Sequence, residues 1–168
     1  MSQRAERWTA IEQGLRSSWA TLRAYEALLA MNHEIATEVR PRLASTYEER
    51  VSFWELRVEA HVLLIYAQNL DRAVRALRDL DADVPRQQRR TRHHIRILRN
   101  SFEHWDDRTG ESWQKLVELV GRERANQYGF SHEEVYIGGL ALGPVAEYTR
   151  DVHARLVALE DSGWPSDR

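Results

Sequence analysis

The sequence predicts an all-α fold: an antiparallel helical bundle with two long N-terminal helices and a small β-hairpin before the C-terminal helix. Three observations carry this. Apolar residues recur every three or four positions over most of the chain. The connection between the first two long periodic segments is short, which makes them antiparallel neighbours. Only the segment from Gln127 to Gly143 loses the helical period, and at its centre two short apolar runs flank Gly138-Gly139.

The first helix is expected from about Arg4 to Val39, with Trp8, Ile11, Leu15, Trp19, Leu22, Tyr25, Leu29, Ile35 and Val39 on its apolar stripe. It reads equally as two nearly collinear helices broken near Ser17-Ser18. Pro41 supplies the stop, because the residue before a proline is pushed out of the helical region. Ser45 or Thr46 then caps a second helix reaching about Leu80. Val51, Trp54, Val58, Val62, Ile65, Val74 and Leu77 form its apolar positions, and His61 reads as a hydrogen-bonded core or boundary residue. Asp79 to Pro85 is an acidic break.

A third helix begins in the stretch from Arg86 to Arg99, which holds six arginines, at 86, 89, 90, 92, 96 and 99, with His93 and His94 and no carboxylate. It continues through Ile95, Leu98, Phe102 and Trp105, an apolar stripe with spacings of three and four. Asp106 to Gly110 ends it. Glu111 to Val120 forms a short fourth helix, the hairpin spans Val135 to Leu142, and Pro144 opens the last helix, which buries Val145, Tyr148, Val152, Leu156 and Leu159.

Composition bounds the chemistry. The 168 residues, 42% hydrophobic and 30% charged, suit one domain, 1–168, able to bury a core without staples. Absence of cysteine removes disulfides, thiolate metal sites and cysteine nucleophiles, and is compatible with a reducing cytosol. The polar start lacks the form of a signal peptide and no stretch is long and apolar enough for a membrane, so a cytoplasmic location with no membrane partner is expected. Metal-ligand spacings are missing, and no metal or other cofactor is expected. A net charge of −2 argues against a protein that coats nucleic acid over its whole surface. It leaves room for a local basic site. The arginine-rich segment suits a polyanion held along its backbone, with Arg89, Arg92, His93 and Arg96 as candidate RNA contacts; a solvated face paired with acidic neighbours is the competing reading.

The stretch from Leu98 to Arg108 gathers a cation, an amide, a carboxylate and an imidazole. On a helix Asn100 and His104 stack one turn apart, as do Arg99 and Glu103. The spacing Arg99-Asn100-Ser101-Phe102-Glu103-His104, Arg-Asn followed by His after three residues, resembles the motif of the HEPN superfamily. These are helical-bundle proteins, many of them metal-independent ribonucleases. The resemblance covers about ten residues plus the helical layout.

It implies a homodimer in which Arg99 and His104 line a cleft between protomers and Asn100 positions them. Glu103, outside the family's core pattern, is a candidate orienting partner for Arg99. Cleavage of RNA without a metal requires the 2′-hydroxyl to lose a proton, the 5′-oxygen to gain one and the phosphorane charge to be stabilised. Imidazole serves the first two needs and guanidinium the third. The helical wheel also places Ile97 with His104 opposite the core stripe, where a second protomer's helix would cover it. The alternative is a catalytically inactive HEPN-like RNA-binding or protein-interaction module. A protein antidote, as in toxin-antitoxin or defence systems, is a further partner the resemblance suggests. The toxin branch often carries Tyr two residues beyond the His, where this chain has Asp106.

Overall fold

The computed structural model describes residues 3–38, 47–103, 110–126, 128–131 and 134–163. The order is α1 (Gln3–Glu38), α2 (Tyr47–Ala76), α3 (Arg78–Ala82), α4 (Arg86–Glu103), α5 (Glu111–Val120), α6 (Arg122–Ala125), β1 (Tyr128–Ser131), β2 (Glu134–Ile137), β3 (Leu140–Ala141) and α7 (Gly143–Gly163). The two long N-terminal helices and the hairpin before the last helix are present. No helix among the described residues is long and apolar enough to cross a membrane.

Helix α1 is continuous through Ser17-Ser18. Both residues are buried. The Ser18 hydroxyl donates to the Leu15 carbonyl at 2.9 Å, and that of Thr21 donates to Ser17 at 2.8 Å. These bonds satisfy the Ser18 and Thr21 hydroxyls within the helix, the latter on the Ser17 carbonyl, so buried hydroxyls here need not break it. Small residues here serve the approach of α7: a Cβ on Gly14 would lie 2.8 Å from a Leu156 methyl, and Ser18 Oγ meets His153 Nδ1 at 2.8 Å.

The buried stripe of α1 therefore runs Ala10, Ile11, Gly14, Ser17, Ser18, Thr21, Ala24, Tyr25, Leu28. Trp19, expected in the core, is 58% exposed, with the Arg23 guanidinium 5.3 Å from its ring centre. A bulky indole has no place where two backbones come close. Helix α2 shows the same kind of correction. Its buried stripe is Leu56, Ala60, Leu63, Leu64, Ala67, Leu70, Ala73 and Val74, and Val58 is 59% exposed. The side chains of Ile35, Val39, Val51, Trp54 and Trp105, and the caps Ser45 and Thr46, lie outside the described residues.

The second helix does not reach Leu80 unbroken. It stops at Ala76, and Leu77 and Leu80 enter the core around the short α3, within the segment expected to be only a break. Two core clusters result. One joins Leu28, Leu64, Leu98, Leu116 and Ile137; the other joins Ile11, Leu70, Leu80, Val152 and Leu156. Both long helices run through both.

The expected hairpin is part of a three-stranded antiparallel sheet in the order β1-β2-β3, with Tyr136 opposite Ala141 and Ile137 opposite Leu140. Between β2 and β3, Gly138 and Gly139 both have positive φ, +51° and +75°. Two such residues in succession are what a tight hairpin turn of the primed type needs. At the far end of the sheet, Glu134 Oε1 accepts the Gly143 N–H at 2.7 Å, so a carboxylate caps the start of α7.

Candidate functional site

Helix α4 positions every described residue singled out for chemistry, and its arginines divide among three environments. Arg86, Arg89, Arg90, His93 and Arg96 fall on one exposed strip, at the three- and four-residue spacing of a single helix face, which continues to the half-buried Asn100. From position 86 to 100 the strip spans about 21 Å at 1.5 Å per residue. No carboxylate lies on α4 before Glu103.

Arg92 is the exception among the residues expected to touch RNA. Its side chain is 12% exposed and lies between Asp71 of α2 and Asp81 of α3. Nη1 donates to Asp81 Oδ1 at 2.7 Å and Nε faces Asp71. Tyr148 of α7 packs beside the same guanidinium. Burial opposes the charge on Arg92, but the Asp81 hydrogen bond and the Asp71 carboxylate outweigh it and hold its pKa above the ordinary arginine value. Burial likewise pushes the Tyr148 hydroxyl up, against the pull of Arg92. Arg92 thus ties α4 to α2, α3 and α7. The cavity beside it, lined by Gln68, Asp71, Thr91, Arg92 and Tyr148 among others, is about 30 Å³, room for water rather than a substrate.

Arg99 occupies a third environment, facing α2. Its Nε donates to Glu103 Oε1 at 3.0 Å, Nη2 makes a second contact to the same carboxylate, and Nη1 donates to Gln68 Oε1 at 2.7 Å. The guanidinium, 24% exposed, is clamped in one orientation. Glu103 meets Arg99 one turn away, as their spacing implies; Gln68 is a partner that sequence spacing has no means of finding, since it comes from another helix. Asn100, adjacent in sequence, lies on the other flank, in a groove between α4 and α5. His104 lies outside the described residues.

Two histidines of α4 take different parts. His93 is exposed, and its Nδ1 accepts from Arg96 Nη2 at 3.0 Å. His94 points inward, with Nε2 3.0 Å from the Gly138 carbonyl. Burial lowers its pKa below the ordinary histidine value; the bond to Gly138 works the other way, and His93 adds to the depression. His61 of α2 is half-buried, its ring tilted against that of Phe102 at 5.8 Å between centres, but its Nε2 is buried with no hydrogen-bond partner among the described residues, so it is not the hydrogen-bonded residue expected.

Ile97 corrects one expectation. It is buried within the single chain, in the same core cluster as Leu116 of α5. The short helix α5, not a second protomer, covers that face of α4. The wheel of α4 alone did not contain α5.

Chemically, this region offers guanidinium and imidazole donors along one exposed face, an oriented Arg99-Glu103 pair and a neighbouring amide. That suits an anionic ligand with hydrogen-bonding groups. No family model, no curated protein and no solved structure matches the chain.

Proposed function

We propose that this chain binds single-stranded RNA along α4 and cleaves it without a metal ion, as a homodimer of the HEPN kind. The observation that carries this reading is the exposed strip of Arg86, Arg89, Arg90 and Arg96 with the His93 imidazole among them, which leads to Asn100, next in sequence to the clamped Arg99. Such a strip neutralises successive phosphates. In the proposed reaction the 2′-oxygen attacks phosphorus, the bond to the 5′-oxygen breaks, and a 2′,3′-cyclic phosphate and a 5′-hydroxyl form. His104 moves the proton from the 2′-hydroxyl toward the leaving oxygen, and Arg99 stabilises the charge that builds on the phosphorane. Glu103 and Gln68 fix the plane of the guanidinium, which keeps its reorganisation small during reaction.

The same clamp favours a second reading. Three of the Arg99 contacts are already made within the chain, as in a scaffold module that binds RNA or protein without cleaving.

Cleavage of a single-stranded RNA in EDTA separates the two. The wild-type protein is expected to cut, and His104→Ala to lose at least about 100-fold of the rate, the usual contribution of a positioned acid-base group. Undiminished cutting by His104→Ala refutes the assignment. Absence of cutting by the wild type, with RNA still bound, selects the scaffold module.

A further inference from the structure

Apart from Asn100 on its wall, the cleavage chemistry does not use the groove between α4 and α5. Its volume is about 690 Å³, within the usual range for a small-molecule site. Helix α4 contributes His93, Arg96, Ile97 and Asn100 to its wall. Helix α5 contributes Lys115, Glu118 and Leu119. We propose that this groove seats one nucleotide of the bound strand, with its phosphate on Arg96 and Lys115 and its base against Leu119. The inference rests on RNA being the ligand, and it adds a binding subsite on α5 that the motif does not include.

Three features favour this occupant. First, the cations of the groove present donors and no acceptors toward an anion. Because guanidinium can only donate, the contact of Arg96 with His93 Nδ1 makes that nitrogen the acceptor and leaves the ring proton on Nε2. Imidazole N–H, guanidinium and the Lys115 ammonium, which gives one of its three protons to the exposed Glu111 carboxylate and keeps two, together match the acceptor oxygens of a phosphodiester. Second, Leu119 is 42% exposed although its helix buries Leu116 in the core. Proteins hold single strands on aromatic platforms beside backbone-binding cations; Leu119 offers a base an apolar surface in the same position, through burial rather than ring stacking.

Third, Glu118 places a carboxylate among these cations. It repels bare inorganic phosphate but accepts a hydrogen bond from a base amino group or a ribose hydroxyl, which favours a whole nucleotide. The Asn100 amide adds a donor and an acceptor. The cationic strip of α4 enters the groove through His93 and Arg96, so a strand following it arrives there.

The test is binding of a short fluorescent oligouridylate in EDTA, read by anisotropy over a range of salt concentrations. His104→Ala serves as the parent so that the strand stays intact. Arg96→Gln and Lys115→Gln are each expected to weaken binding several-fold and to reduce the slope of log affinity against log salt by about one. Leu119→Ala is expected to weaken binding several-fold with the slope unchanged, and Arg16→Gln on α1 to change neither. If the parent binds but Leu119→Ala and Arg96→Gln bind equally well, the groove assignment is wrong while RNA binding stands. If the parent binds no oligonucleotide, or an acidic peptide displaces it through the same residues, RNA itself is the wrong ligand.

Discussion

Two neighbouring residues of α4 show how position on a helix sets the fate of a polar side chain. Arg92 is enclosed by Asp71, Asp81 and Tyr148, whereas Arg89, three residues earlier, is exposed. Removing Arg92 leaves the buried Asp71 carboxylate with only the exposed Arg75 as its partner. Arg92→Ala is therefore expected to cost about 3 kcal/mol in urea unfolding, the low end for breaking a buried pair, and Arg89→Ala no more than about 0.5 kcal/mol. Equal effects would show that Arg92 does not hold the bundle together. His94 makes a prediction about pH. Its lowered pKa means the folded state favours the neutral ring, so below the ordinary value of 6.5 the unfolded chain binds more protons than the folded one. The contribution of His94 is fully present above that value and is lost as pH falls toward the folded-state pKa. Unfolding midpoints should drop over that window, and His94→Gln should flatten the drop; an unchanged slope in the variant would remove His94 as the cause.

At the scale of elements, the β2-β3 turn is held from two sides. Gly138 has φ of +51°, and a Cβ there would come within 2.5 Å of Leu98 Cδ1 on α4. Its carbonyl is also the acceptor for His94. Gly138→Ala thus meets both a strained backbone and a clash. It is expected to lower stability by roughly 1–3 kcal/mol, measurable as a lower thermal midpoint. A comparable change at Gly121 meets nothing within 4 Å and is strained through its φ of +83° alone. Gly121→Ala should therefore cost less than Gly138→Ala, and the reverse order would mean that the Leu98 contact is easily relieved.

Over the whole molecule, α1 and α2 thread both core clusters, which couples them mechanically. Leu64 and Leu156 are fully buried, one in each cluster. Each Leu→Ala substitution should cost roughly 2–5 kcal/mol, and both should shift one common unfolding transition. Tryptophan fluorescence and far-ultraviolet circular dichroism are expected to coincide. Separate transitions, each sensitive to one substitution, would show two independently folding halves. The proposed homodimer belongs to this scale too. With Ile97 covered inside the chain, the dimer rests on the motif alone, and sedimentation at increasing concentration tests it.

The sequence by itself determined most of the elements: the helical period, Pro144 and the Gly138-Gly139 pair marked where helices run, start and give way to a hairpin, because these are local preferences of the backbone, whereas the break at Ala76 and the strand β1 were not legible in it. It also marked the six-arginine segment and the Arg99-Asn100 pair, since composition and helical spacing are visible in one dimension. The buried faces of α4 and α7 were legible, Ile95, Leu98, Phe102, Val145, Val152 and Leu156 being buried as their spacing implies, and only the tertiary structure decided how α1 and α2 are turned. Trp19 and Val58 look like core residues by hydrophobicity, yet the close approach of α7 to Gly14 and Ser18, and the packing of α2 on Leu56 and Leu63, assign the interior to other positions. It likewise turned Arg92 inward and gave Arg99 its partner Gln68. Those outcomes depend on side chains far apart in the chain, and a helix read alone contains no information about what will pack against it.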